Sequence, residues 1–129
     1  MGNKNREKGF ILERATAKDM REFGFPKAKT SREASRLLDN CKVDIANVPL
    51  LIQCKAGYEK ARPKFDVLKA EALKLLQENF LKDDPIHELP YVLRHSFKKV
   101  DTATIDWNFF KLLLTSYIEV NKEQFIRYK

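Results

Sequence analysis

The run Leu50–Ala56, LLIQCKA, constrains the fold more than any other part of this 129-residue chain. It is apolar except at Gln53 and Lys55, the pattern of a short central strand covered on both faces. Side chains two apart on a strand share a face, so Gln53 and Lys55 point one way while Ile52 and Cys54 point the other. Such a strand needs covering layers, and the flanking sequence supplies them. Residues 5–23 read as a helix that Gly24 stops. Residues 26–40 hold Pro26, basic and small polar residues, then Leu37 and Leu38, and read as a loop or hairpin. Val43–Asn47 reads as a strand leading into a turn at Asn47-Val48-Pro49. Pro63 suits the first turn of a helix running to about Leu81. Residues 90–97, PYVLRHSF, read as a further strand. A last helix starts near Thr104 or Asp106, with Trp107, Phe110, Leu114 and Tyr117 at a three-four spacing. This order predicts one α/β domain over residues 1–129, a small mixed sheet flanked by helices.

Composition supports a folded core: 43% of the residues are hydrophobic, and four Gly and five Pro are too few for a low-complexity chain. No apolar run reaches the roughly 18 residues that span a bilayer. The start, MGNKNREKG, lacks the apolar segment of a secretory signal, and Arg6 stands where a myristoylation motif takes Ser or Thr. The expectation is a soluble cytoplasmic protein with no membrane partner. Cys41 and Cys54 have no CxxC spacing and no histidine near in sequence, which fits a reducing compartment better than a zinc site. Cys54 reads as a small buried hydrophobe. Of the net charge of +7, all belongs to residues 1–64, which carry 15 Lys and Arg against 8 Asp and Glu; residues 65–129 carry 10 of each. A one-sided basic surplus is what a phosphate backbone selects, although charge alone suits a solvated surface equally well.

The chemistry-bearing residues start on the first helix. Phe10, Ala17 and Met20 form an inward stripe whose fourth member is Glu13. Taken alone, Glu13 reads as a carboxylate at the stripe's edge paired with a nearby Arg or Lys, since an unsatisfied one would be expensive there. Gln53 and Lys55 put an oxygen donor and a cation on one strand face. Asp44 precedes Gln53 by nine residues across the turn, so antiparallel pairing would bring its carboxylate beside the Gln53 amide oxygen. An acid, a neutral oxygen and a lysine at one spot suit phosphodiester cleavage. Mg²⁺ takes oxygen ligands and needs only one or two protein carboxylates, and a lysine can orient water or offset developing charge. His87 and His95 read as a loop residue and a strand-face residue. The Trp107–Tyr117 stripe reads as core or dimer contact before it reads as a base-stacking platform.

Three stretches, KGFILER (Lys8–Arg14), REFGF (Arg21–Phe25) and VDIANVPLLIQCKAG (Val43–Gly57), together resemble the archaeal and phage Holliday junction resolvases of the PD-(D/E)xK nuclease superfamily. The resemblance covers about residues 5–58. It implies a restriction-endonuclease-like fold and a Mg²⁺-dependent endodeoxyribonuclease, with Mn²⁺ able to substitute, acting as a homodimer on four-way or other branched DNA. Glu13, Asp44 and Gln53 would then hold the metal, and Lys55 would be the catalytic lysine. Lys29 and Ser31 match the basic residue and serine that assist the family's site. Lys8, Arg14, Arg32, Lys60 and Arg62 are further candidate DNA contacts, and Tyr58 and Lys64 could line the same channel. Two positions depart from the pattern. Gln53 replaces the acid of acid-x-Lys, a form shared with Mrr-type restriction nucleases, and Val43 replaces a loosely kept proline. Two alternatives follow: an Mrr-like or repair nuclease cutting duplex or single-stranded DNA, and a DNA-binding protein that keeps the frame with a degenerate site.

Overall fold

The computed structural model describes residues 2–57 and 64–129, with side chains of the first helix from Arg6 onward. The expectations placed on Tyr58, Lys60, Arg62 and Pro63 lie outside the described residues. The elements run α1 (Gly2–Glu22), β1 (Lys29–Thr30), α2 (Ser31–Ala34), α3 (Arg36–Asn40), β2 (Ile45–Ala46), β3 (Leu51–Ala56), α4 (Phe65–Asn79), a 3-10 turn at Pro85–Glu88, β4 (Tyr91–Phe97), β5 (Val100–Thr104), α5 (Trp107–Val120) and α6 (Lys122–Phe125), closing on a 3-10 turn at Ile126–Tyr128. The fold is mixed α/β, with a small mixed sheet flanked by helices, as the sequence implied.

β3, β4 and β5 form the main sheet. β3 and β4 run parallel with Gln53 opposite Leu93 and Leu51 opposite Tyr91, so α4 serves as the crossover a parallel pair needs. The two faces of β3 divide the core. On one side Leu51, Tyr91 and Leu93 meet Val43, Cys41 and the α4 residues Ala72 and Leu76. On the other, Ile52 and Cys54 meet Leu12 and Ala17 of α1, with Met20 and Val92 at the margin. Both cysteines are buried and free, and burial pushes the Cys54 thiol up to about 12, which fits an inert core residue.

Several boundaries differ from the sequence reading. The inward face of α1 is Leu12, Glu13, Thr16 and Ala17, while Phe10 and Met20 are only half-buried. Residues 26–40 hold β1 and two short helices rather than a loop or hairpin, because Ser35 caps α3 through its hydroxyl. The expected strand Val43–Asn47 shortens to Ile45–Ala46, paired antiparallel with β1. Asn47 does make the turn, in the left-handed region at φ 65°, with its side-chain amide donating to the Lys27 carbonyl at 3.0 Å. β5 was not anticipated. It follows β4 through a two-residue turn in which Lys98 and Lys99 both have positive φ, and its residues are exposed, so no apolar alternation announced it. Of the two expected starts for α5, Asp106 holds, as the N-cap before Trp107, and Thr104 belongs to β5; the stripe is not core, since no α5 residue is buried. No helix among the described residues is long and apolar enough to cross a membrane.

Candidate functional site

The free edge of β3 positions the site. Asp44, just before β2, lies along that edge: its backbone N–H donates to the Ile52 carbonyl at 2.8 Å, and its Oδ2 accepts from the Cys54 backbone N–H at 2.7 Å. The two bonds bracket Gln53 and hold the Asp44 carboxylate by both backbone and side chain. Burial, followed by the nearby Glu13 charge, pushes the Asp44 carboxyl up to about 7, against the opposing pull of the Cys54 N–H bond and of Lys55. A carboxyl balanced near neutrality has too little positive charge around it for its own burial.

Glu13 comes to the same place from α1, and its side chain is almost wholly buried. Its Oε2 meets Arg32 at 3.3 Å, and the Arg32 guanidinium in turn lies 4.0 Å over the Phe10 ring. The expected Arg or Lys partner thus exists, yet it satisfies one oxygen only. Among the described residues, neither the buried Glu13 Oε1 nor the buried Ser31 Oγ has a hydrogen-bond partner. Ser31 is fully buried and anchored beside Asp44 by its backbone N–H, which donates to the Asp44 carbonyl at 2.8 Å. Two orphaned buried oxygens next to an under-compensated carboxyl fit a hard cation with oxygen ligands. Among the described residues no three His, Cys, Asp or Glu side chains gather, so any donor set here is two carboxylates completed by neutral oxygens.

Gln53 is buried on the face it shares with Lys55, but its amide oxygen does not stand free beside Asp44. Tyr91 donates its hydroxyl proton to Gln53 Oε1 at 2.6 Å, and Tyr91 stacks at a tilt on Phe65, centroids 5.5 Å apart. Sequence reasoning took Tyr91 as part of a strand and missed this role. The available signal was its hydroxyl, which a buried tyrosine must satisfy. Thr16 and Arg94 were likewise missed. Thr16 Oγ1 donates to the Leu12 carbonyl at 2.7 Å and accepts from Arg94 Nη1 at 2.7 Å, and Arg94 also reaches Asp19 at 3.1 Å. This network ties α1, and with it Glu13, to β4.

The candidate DNA contacts Lys8, Arg14, Lys29 and Arg32 are exposed, as phosphate-contacting cations must be, whereas Ser31 is buried and so belongs to the site rather than to the surface. Lys8 lies over Gly57, which follows β3 in the left-handed region at φ 77°. There Lys8, Gly57, Arg94 and Lys98 line an open groove of about 700 Å³ between α1 and the β4–β5 turn. His95 sits on β4 and His87 in the 3-10 turn, where its Nε2 meets the Leu81 carbonyl at 2.8 Å. Set against protein-family models, curated proteins and solved structures, the chain matches none.

Proposed function

We propose that this chain is a Mg²⁺-dependent endodeoxyribonuclease of the restriction-endonuclease-like kind, acting on Holliday junctions or other branched DNA as a homodimer. The observation that carries the reading is a buried Asp44 carboxyl raised to about 7, with Glu13 near enough to raise it and Ser31 bonded to its backbone, each holding a buried oxygen unpartnered among the described residues. The element order supports it as well: a helix, two short strands with two short helices between them, a third strand, a crossover helix, then a strand parallel to the third. Glu13 and Asp44 would hold the cation, with Ser31 Oγ or the Gln53 amide as neutral donors. When bound, Mg²⁺ would polarise the scissile phosphate and lower the pKa of a water at neutral pH.

The chain's own residues would do the rest. Lys55 shares β3 with Gln53 and its charge lowers the Asp44 carboxyl; its ammonium would orient the attacking water and offset the charge that builds on the phosphate oxygens. The water oxygen gives up a proton to solvent and forms the new P–O bond as the bond to the leaving deoxyribose oxygen breaks, and that oxygen takes up a proton from solvent. Tyr91 would fix the Gln53 amide so that its second oxygen lone pair is aimed and not rotating. Lys8, Arg14, Lys29 and Arg32 would bind phosphates and set position without reading sequence.

The engaged Gln53 oxygen favours a second reading, a DNA-binding protein that keeps this frame without cutting. One experiment separates them. Labelled four-way junction, duplex and single strand are incubated with the protein in Mg²⁺ or in EDTA. Metal-dependent nicking of the junction supports the nuclease. Tight binding with no product in either Mg²⁺ or Mn²⁺ supports the binder, and cutting confined to linear DNA supports an Mrr-like or repair enzyme.

A further inference from the structure

α5 is a helix without a home. Nine of its 14 residues are large and apolar, yet none is buried. A helix this apolar is normally covered. Its exposed apolar side chains are Trp107, Phe110, Leu113, Leu114, Tyr117 and Val120, with Leu112 set apart beside the polar strip. At 100° per residue those six fall on one continuous stripe, while Asn108, Lys111, Thr115 and Glu119 gather on the opposite side. The two charges of the helix therefore lie outside the stripe, and Glu119 is already paired with Lys122 at 2.9 Å. The base of α5 is tied to the domain by an Asp106–Lys69 ion pair, so the stripe is held out at a fixed point.

The exposure of the stripe calls for a cover, and its spacing fits a second copy of the same helix. The positions 107, 110, 113, 114, 117 and 120 are symmetric about their midpoint and read the same in both directions. A two-fold interface demands this reciprocity, because residue i must meet j while j meets i. We propose that α5 pairs antiparallel with α5 of a second copy of this chain. Leu113 meets Leu114 at the axis, Phe110 meets Tyr117 on either side, and Trp107 meets Val120 at each end. The size is sufficient. With Trp107 71%, Val120 83% and Tyr117 54% exposed, and aromatic rings covering about 150–250 Å² each, the stripe offers on the order of 600 Å² per copy. Two copies would then bury about 1,200 Å², the lower edge of the range for specific interfaces. This pairing gives the proposed homodimer its seam but does not depend on the cleavage chemistry.

The test is sedimentation of the full chain, with far-UV circular dichroism to follow folding. The wild type is expected to be a dimer. Leu114→Asp and Tyr117→Asp are expected to weaken it at least about tenfold while leaving the spectrum unchanged, because neither residue is buried in the monomer. Orientation is read by oxidative cross-linking of cysteine variants. Trp107→Cys mixed with Val120→Cys should form the heterologous cross-link, and Trp107→Cys alone should not link to itself. A wild-type monomer, a dimer indifferent to both aspartates, or self-linking at Trp107→Cys would each overturn the proposal. Since no step reads DNA cleavage, such a result leaves the nuclease reading to its own assay.

Discussion

Asp44→Asn should make the metal-free protein more stable above neutral pH. The Asp44 carboxyl is raised from 3.8 to about 7 in the folded chain, chiefly by burial and next by Glu13. A carboxyl whose folded pKa exceeds its unfolded value favours folding fully below pH 4, and that contribution is lost as pH rises through 7. Three pKa units correspond to about 4 kcal/mol at roughly 1.4 kcal/mol per unit. Relaxation and partial hydration around Asp44 reduce the expected effect to about 1–3 kcal/mol. Asparagine carries no charge and keeps a carbonyl oxygen for the Cys54 N–H, so it escapes the loss. Chemical denaturation of both proteins in EDTA, at pH 5 and at pH 8, measures the difference. The variant should lead by about a third of the full difference at pH 5, and by all of it at pH 8. Adding Mg²⁺ should then stabilise the wild type and leave Asp44→Asn unmoved. A variant less stable than wild type at pH 8, or a difference that does not change with pH, would refute the claim that Asp44 is an under-compensated buried acid.

Because a cation binds the ionised carboxylate, the Mg²⁺ concentration for half-maximal stabilisation should rise about fivefold from pH 7 to pH 6, as proton competition at a carboxyl of pKa about 7 requires; calorimetric titration at the two pH values checks it. Gln53→Glu should lower the Mg²⁺ requirement by restoring a charge, Gln53→Ala should raise it, and Tyr91→Phe should raise it less while costing about 1 kcal/mol of stability for the lost hydrogen bond; metal titrations of cleavage rate and urea melts read these effects. Junction DNA should bind at least about tenfold tighter than linear duplex at one fixed salt concentration, a difference of roughly 1.4 kcal/mol, as measured by fluorescence anisotropy.

The parts of the fold that were legible in the sequence are those set by burial. LLIQCKA became a strand covered on both faces because its apolar pattern leaves no exposed side, and Gly24 and Asn47 marked turns because they tolerate positive φ. β5 stayed hidden because an exposed strand needs no apolar periodicity, and β1 and β2 are too short to show one. The site was legible in its members and less so in its contacts. Ser31 bonds the Asp44 carbonyl through its backbone N–H and the Glu13 charge acts on the Asp44 carboxyl, whereas the Gln53 oxygen expected beside Asp44 is taken by Tyr91. The Tyr91 hydroxyl announced that it needs a partner but not that the partner is Gln53, since the two lie 38 residues apart and meet through the register of a parallel pair. The α5 stripe was visible in its spacing, but spacing cannot distinguish a core helix from one that waits for a partner.

The most direct test of the account is single-turnover cleavage of a labelled four-way junction by wild type, Asp44→Asn and Lys55→Ala, each with DNA binding measured beside it. The account expects wild type to cut in Mg²⁺ and not in EDTA, and both variants to bind the junction while cutting it at least about a hundredfold more slowly, a loss of roughly 2.7 kcal/mol in transition-state stabilisation. Cleavage by Asp44→Asn at the wild-type rate would contradict it.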